Sequence, residues 1–348
     1  MKYGSCIESV GVSIPDQVLS TRDLVKKLAL SKPLKLELMT GIRERRISEP
    51  EEDSLVLAEK ATLDCLKYSK YDAGEIEMII YCAITKYVDG LKHLYEPAVS
   101  LLLKKSLACE DAISFDITNA CAGMLSGFHI ASNFIERGVV KNCLVVSGEY
   151  ITSLSRNAIE NISTADDPQV ASLTLGDAGG AAMLSRSVPE EGISSSKFVT
   201  FGNYSDLCIA YLSPHQSGGI MKTRMKEIHE ASISHAPKVI EEALDEAGLS
   251  MDQIDLIIPH QTSRHAIKAG HVHFSKYFRK FEAKVLVNLS RMGNTASTSH
   301  VLALYRFLKE GKIKRGDRIM LLSFASGLVI GVVIFVINDL AENYGSSH

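Results

Sequence analysis

Three polar side chains lie where an apolar strand meets the start of a helix, a place suited to chemistry. Cys121 follows the apolar segment AISFDI and opens CAGMLSGFHIASNF, which favours a helix with small residues at its start. His260 follows the apolar strand IDLIIP, and Asn294 lies in GNTAS before another helical segment. The carboxyl end of a strand is where α/β folds bind ligands, which favours a functional role for His260. The internal repeat described below would bring Cys121 and Asn294 to one cavity from opposite halves.

Cys121 is the candidate nucleophile. A cysteine at a helix N-terminus meets unpaired N–H groups and the positive end of the helix dipole. Both favour the thiolate, so the position predicts a lowered pKa for the thiol and attack on a thioester. The alternative is a buried, inert cysteine, which is a common structural role.

His260 and Asn294 are candidate hydrogen-bond donors to a developing negative charge. An imidazole can donate to an oxyanion or accept a proton, and a neutral amide supplies a donor that does not titrate. The alternatives are a structural histidine and an asparagine that caps a helix.

An internal repeat organises the chain. YDAGEIEMIIYCAIT resembles LSMDQIDLIIPHQTS, and FIERGVVKNCLVVSGE resembles FLKEGKIKRGDRIMLLS further on. Counting back equally from Gly138 and Gly311 pairs Cys121 with Asn294. Two similar halves that alternate helix and apolar strand predict sheets covered by helices.

The predicted halves have approximate limits. The first half spans residues 1–185, a connecting segment 186–224, and the second half 225–348. The apolar stretch 319–337 is interrupted by serine and glycine, so it predicts two buried strands joined by a turn and not a membrane span.

Composition excludes several classes of protein. The formal net charge is -3, and no run of lysine or arginine suggests nucleic-acid binding. The N-terminus lacks the pattern of a signal peptide. Seven cysteines without metal-ligand spacing predict reduced thiols in a cytoplasmic protein without a metal site.

Six motifs in this order resemble the ketoacyl-acyl-carrier-protein synthase III group of thiolase-fold enzymes. They are TGIRERRI, CAG, GDAGGAAML, PHQ, GNTAS and the late ASG turn. The resemblance implies an α/β fold of five layers, αβαβα, and a homodimer. It also implies that no cofactor is permanently bound, and that thioesters of coenzyme A or of the phosphopantetheine of acyl-carrier protein are the substrates.

The same resemblance implies a reaction. An acyl group passes from a thioester onto Cys121, and a carbanion from a second thioester attacks it in a Claisen condensation. His260 and Asn294 stabilise the enolate oxygen. The backbone N–H groups of Cys121 and Ser326 form the oxyanion hole for the acyl carbonyl.

Departures from the housekeeping synthase leave the substrate open. The tryptophan that stacks on the adenine of coenzyme A has no counterpart in KLELM, residues 35–39. Glu96 before Pro97 resembles the olefin-biosynthesis thiolases and the synthases of dialkylresorcinols or pyrones. There, a glutamate reaches the partner subunit's site and acts as base in a head-to-head condensation without loss of carbon dioxide. The alternative for Glu96 is a carboxylate at a helix N-terminus.

Two other functions remain open at this point. One is acyl transfer to an oxygen or nitrogen nucleophile, and the other is an inactive subunit of a heterodimer. Arg43, Arg45, Arg46 and Arg264 could contact an acidic carrier protein, although a solvated charged surface is the simpler interpretation.

Overall fold

The computed structural model describes residues 3–188 and 191–345, which contain sixteen strands and eleven α-helices. The strands are β1 (Gly4–Ser13), β2 (Val18–Ser20), β3 (Glu44–Arg46), β4 (Met78–Tyr81), β5 (Tyr87–Val88), β6 (Lys92–His93), β7 (Ile113–Asp116), β8 (Asn142–Glu149), β9 (Ala178–Ser187), β10 (Ile193–Thr200), β11 (Cys208–Leu212), β12 (Gly219–Thr223), β13 (Leu256–Pro259), β14 (Lys284–Val285), β15 (Arg318–Ala325) and β16 (Val329–Val336). The helices are α1 (Thr21–Lys26), α2 (Leu36–Thr40), α3 (Ser54–Leu66), α4 (Val99–Ser106), α5 (Gly123–Glu136), α6 (Ser153–Asn161), α7 (Met225–Ala247), α8 (Arg264–Tyr277), α9 (Leu289–Met292), α10 (Ser299–Lys309) and α11 (Leu340–Gly345).

Two five-stranded sheets repeat one topology. The first has the order β1-β9-β8-β4-β7, and the second has the order β10-β16-β15-β13-β14. In each sheet the first two neighbouring pairs are antiparallel and the last two are parallel. The internal repeat predicted from the sequence is therefore visible as two sheets of equal order.

Helices cover both faces of each sheet, in five layers. Helices α5 and α10 lie between the sheets, in a core that contains Phe128, Ile80, Phe307 and Ile258. Helices α3 and α4 cover the outer face of the first sheet, and α7 and α8 cover the outer face of the second. The predicted αβαβα architecture is confirmed.

The central strands are apolar on both faces because both faces are covered. Successive side chains of a strand point to opposite faces. Ile79 faces the outer helices and Ile80 the central layer, and Ile257 and Ile258 repeat this arrangement in β13. The stretch 319–337 forms β15 and β16 with a turn between them, so the prediction of two buried strands is confirmed.

The connecting segment contributes to the second sheet. Strand β10 is its edge strand and pairs with β16, while β11 and β12 form a separate hairpin. The second sheet therefore begins within the segment predicted to connect the halves, and the predicted limits at 185 and 225 stay a prediction. Across residues 3–188 and 191–345, no helix is long and apolar enough to cross a membrane.

Candidate active site

Cys121 lies in a tight turn between β7 and α5. The residue before it, Ala120, has a φ of 45°, a backbone conformation that non-glycine residues adopt only under constraint. A 3-10 turn over Ala120–Ala122 then leads into α5 at Gly123. A Cβ on Gly123 would meet the carbonyl oxygen of Cys82 at 2.4 Å, so only glycine lets the helix start approach β4 this closely.

The second half repeats this turn in front of α10. Ala296 has a φ of 51° and begins a 3-10 turn that leads into Ser299. Matching the two alanines places Ser297 opposite Cys121. The count from the glycines, which paired Cys121 with Asn294, is three residues out because α5 has 14 residues and α10 has 11.

His260 is held from two sides at the end of β13. Its backbone N–H donates to the carbonyl of Leu322 on β15 at 2.8 Å, and its Nδ1 lies 2.9 Å from the Ser299 hydroxyl. Burial, and secondarily the neighbouring His300, lowers the pKa of His260 to about 3. The imidazole is therefore neutral near pH 7. If Ser299 donates to Nδ1, the ring proton is on Nε2.

Asn294 is fixed by its backbone to the first half of the chain. Its N–H donates to the carbonyl of Thr174 at 2.9 Å, and its carbonyl accepts from the N–H of Gly176 at 3.0 Å. Gly293, with a φ of 68°, allows this approach, since a Cβ there would meet the Thr174 oxygen at 2.7 Å. The side-chain Oδ1 accepts a hydrogen bond from the Ala296 N–H at 3.0 Å. The donor group of this side chain is its amide Nδ2.

Cys121, His260 and Asn294 all line one cavity of about 760 Å³. This volume lies within the range of about 300–1,000 Å³ that is usual for small-molecule sites. Ser326 lines the same cavity. The fold therefore brings the residues that were predicted from strand ends and helix starts to one cavity.

The cavity wall has two apolar parts. One part includes Ile151, Leu154 and Leu175, which cluster with Cys121. The other part lies between the second sheet and the pair α7 and α8, and includes Phe274 and Leu328. Among the described residues no carboxylate lines the cavity, and its ionisable side chains are lysine, histidine and cysteine.

The pKa of Cys121 moves opposite to the prediction. Burial raises the pKa of the thiol well above its ordinary value, and the charges of Cys208 and Glu149 act in the same direction. The prediction of a lowered pKa is therefore wrong. The cost of removing a thiolate from water exceeds the stabilisation that the helix start provides, and no cation of the described residues is among the groups that act on this thiol.

Glu96 is exposed and is not part of the cavity wall of its own chain. It does not cap α4 either. Helix α4 begins at Val99, and the N–H groups of Val99 and Ser100 donate to the carboxylate of Asp116 at 3.0 and 2.9 Å. Glu96 therefore makes no capping hydrogen bond to α4, and its two possible roles stay predictions.

Several residues of the site were not identified from the sequence. Ser299 behind His260 and the second thiol of the cavity, Cys208, gave no signal. Glu149 did give one, because it is a lone carboxylate at the end of an apolar strand. Within the described ranges, no group of three or more histidine, cysteine, aspartate or glutamate residues could hold a metal ion.

The sequence matches one family of known proteins in both of its halves. Residues 115–202 match the family described as 3-Oxoacyl-[acyl-carrier-protein (ACP)] synthase III, and residues 244–337 match its C-terminal part. Beta-ketoacyl-[acyl-carrier-protein] synthase III of Aquifex aeolicus is 29% identical over 331 residues, which are 95% of this chain and 99% of that protein. The enzyme of the same name from Coxiella burnetii is 29% identical over 332 residues, 94% of this chain and 98% of that protein.

Solved structures agree with these sequence matches. The crystal structure of 3-oxoacyl-[acyl-carrier-protein] synthase III from Aquifex aeolicus superposes with a TM-score of 0.82 at 27% identity, covering 96% of this chain and all of that one. A structure of OleA from Xanthomonas campestris gives 0.84 at 23% identity, covering 97% and 99% of the two chains. At 23% identity, the similarity to OleA shows a shared fold.

Proposed function

The chain belongs to the 3-oxoacyl-[acyl-carrier-protein] synthase III family of acyltransferases, and we propose that it joins two acyl thioesters by Claisen condensation through an acyl-Cys121 intermediate. The observation that carries this proposal is the meeting of one thiol and two neutral donors, His260 and Asn294, in one cavity with largely apolar walls. Coenzyme A and acyl-carrier protein thioesters are the substrates, and the cytoplasm is the expected location.

The first step is acylation of Cys121. The sulfur forms a bond to the thioester carbonyl carbon, the carrier's sulfur leaves, and the proton of Cys121 goes with it as the carrier thiol. Because burial raises the pKa of Cys121, ionisation has to accompany substrate binding. The backbone N–H groups of Cys121 and Ser326 stabilise the tetrahedral oxyanion, a role in which each donor contributes about 3 kcal/mol.

The second step is condensation. The second thioester becomes an enolate, either by loss of carbon dioxide from a malonyl-type unit or by loss of an α-proton to a base. The enolate oxygen accepts hydrogen bonds from His260 Nε2–H and the Asn294 amide. Ser299 supports this role, since donation from its hydroxyl to Nδ1 keeps the ring proton on Nε2. The enolate carbon attacks the acyl carbonyl, the bond to Cys121 breaks, and a β-ketoacyl thioester results.

A head-to-head condensation without decarboxylation is the second candidate. It needs room for two acyl chains, and the two apolar parts of the cavity wall favour it. It also needs a base. No carboxylate of the described residues lines the cavity, so Glu96 of the partner subunit would have to supply one.

A homodimer would bring Glu96 to the partner. Strand β7 is the edge of the first sheet, with Ile113 exposed, and α4 packs against it just after Glu96. Tyr95 beside Glu96 is 77% exposed, unusual for an aromatic side chain unless a partner covers it. These features support a subunit interface along β7.

Acyl transfer to an oxygen or nitrogen nucleophile is less well supported. Such a reaction forms no enolate and does not need a second donor at Asn294. An inactive subunit is disfavoured by the presence of Cys121 in the cavity.

The test is acylation followed by product analysis. Purified protein is incubated with lauroyl-CoA, a compound found in a structure of Xanthomonas campestris OleA, and its intact mass is measured. We expect one lauroyl adduct on Cys121, and none on Cys121→Ala. Addition of malonyl-CoA or of more lauroyl-CoA then separates the two condensations by product mass. Absence of any adduct with acyl-CoA and acyl-carrier-protein thioesters would overturn the proposal.

A further inference from the structure

Glu149, the last residue of β8, is a fully buried carboxylate that the proposed reaction leaves without a role. It accepts hydrogen bonds from the N–H of Ile84 at 3.0 Å, from the N–H and hydroxyl of Thr85 at 3.2 and 3.1 Å, and from the hydroxyl of Ser297. A carboxylate has about four acceptor positions, so these donors occupy all of them.

None of these partners carries a charge. The ionisable groups that respond to Glu149 are Tyr81, Cys82 and Cys121, and its charge raises the pKa of each. Asp116 acts on Tyr81 and Cys82 in the same direction. A buried carboxylate whose hydrogen-bond partners are all neutral is costly even when it is well hydrogen-bonded, and burial raises the pKa of Glu149 itself.

The partners of Glu149 belong to both sides of the site. Ile84 lines the cavity and packs in the cluster that contains Cys121. Ser297 follows Ala296, another cavity residue, and lies three positions after Asn294. One carboxylate therefore joins the surroundings of the nucleophile in the first half to the donor-bearing loop in the second.

We propose that Glu149 is a positioning residue that sets the spacing between Cys121 and Asn294. The inference rests on the proposed function, because it assumes that these two residues act on one reaction. The turns that carry them contain alanines at positive φ, Ala120 and Ala296, and such conformations persist only where the surroundings hold them. A displacement of about 1 Å in such a site lowers the rate about 100-fold.

The charge of Glu149 gives the proposal a distinctive signature. Its negative charge opposes ionisation of Cys121, as does the other group that acts on this thiol, Cys208. Removing the charge should therefore make Cys121 easier to ionise while the loss of spacing makes condensation slower. A role in stability alone would not produce these opposite changes.

The experiment compares Glu149→Gln with wild type by two measurements. The first is the rate of Cys121 alkylation by iodoacetamide from pH 6 to 10, followed by peptide mass spectrometry. Because burial keeps the pKa of Cys121 above this range, the rate rises with pH throughout, and we expect it to be about threefold or more above wild type at every pH. The second is steady-state condensation, for which we expect kcat to fall about tenfold or more with KM changed less than about twofold.

Asp177→Asn is the matched control. Asp177 is also a fully buried carboxylate of the first half, and it accepts from the N–H of Ser48 and from the N–H and hydroxyl of Thr152. Its charge is not among the groups that act on Cys121. This variant should be less stable but should keep the wild-type alkylation rate at every pH.

A second variant covers the case in which Glu149→Gln does not fold. Ser297→Ala removes one donor and keeps the carboxylate, so kcat should fall about threefold or more while the alkylation rate at each pH stays that of wild type. Wild-type kcat and alkylation in Glu149→Gln, or wild-type kcat in Ser297→Ala, would overturn the inference. Failure of wild-type protein to acquire an acyl group from either acyl-CoA or acyl-carrier-protein thioesters would instead overturn the proposed function.

Discussion

Helices α5 and α10 begin with turns of the same conformation, but the side chains of the two turns have different surroundings. Each has an alanine at positive φ and a short 3-10 turn that leads into a helix of the central layer. In the first half, the residue after the alanine is Cys121, which is partly exposed to the cavity. In the second half it is Ser297, which is fully buried and bonded to Ser147 and Glu149.

The difference shows how a duplicated fold becomes an asymmetric site. The first half offers its reactive side chain to the substrate, whereas the second turns the equivalent side chain inward to join the halves. The second half contributes instead the neighbours of its turn, Asn294 before it and His260 from the adjacent strand. Nucleophile and donors thus come from different halves.

Moving the thiol from position 121 to position 297 tests whether the two turns differ in function. In Cys121→Ala/Ser297→Cys we expect acylation and condensation to remain about 1,000-fold or more below wild type, because the side chain at 297 does not face the cavity. Intact-mass analysis with lauroyl-CoA measures acylation directly. Ser297→Cys alone serves as control. Recovery of an acyl adduct in the double variant would show that the two turns are interchangeable.

Removing the donor from the second half should separate the two steps. Asn294→Ala should lower condensation about 100-fold or more, the usual loss for one donor to a developing oxyanion. Acylation of Cys121 should persist, since it does not form an enolate. Stopped-flow release of coenzyme A and product quantification measure the two steps. Equal loss of both would assign Asn294 to the support of Cys121 and not to the enolate.

The smallest expected effect concerns the imidazoles of the second half. His300 is fully buried, and its Nε2 lies 3.1 Å from the Leu322 carbonyl, the same oxygen that His260 N–H contacts. Burial lowers the pKa of His300 to about 4. Below the ordinary histidine pKa of about 6.5 the unfolded chain binds the proton more readily, so stability is lost as the pH falls.

His300→Gln removes that proton uptake and keeps a donor for Leu322. Between pH 7 and 5 the wild-type free energy of unfolding should fall by about 1–2 kcal/mol more than that of the variant. Urea unfolding at the two pH values measures the difference. If both proteins lose the same stability, His300 is not a neutral buried imidazole in the folded state.

Much of the architecture could be predicted because it depends on periodicity and order. The apolar strands, the buried pair within 319–337 and the two halves follow from sequence patterns, and the resemblance supplied the five layers. The three candidate residues were found because each stands at a strand end or a helix start. Their catalytic roles stay predictions.

The remaining features depend on distances across the fold. The predicted direction of the Cys121 pKa shift was wrong. A helix start is visible in the sequence, whereas the depth of burial and the nearness of Glu149, 28 positions along the chain, are not. Arg45 was expected to be solvated but is buried and donates to the Leu173 carbonyl at 3.0 Å. The register of the repeat failed because helix length differs between the halves.

The central layer of helices has a consequence for how the chain acquires its structure. During synthesis the first sheet and α5 emerge before α10 and the second sheet exist. One side of α5 can pack on the first sheet, but the side that faces the second sheet has no partner yet. A truncated chain that ends after the first half would keep that surface open to water and would be prone to aggregate. Because both halves share the central core, we expect the full chain to fold as one cooperative unit.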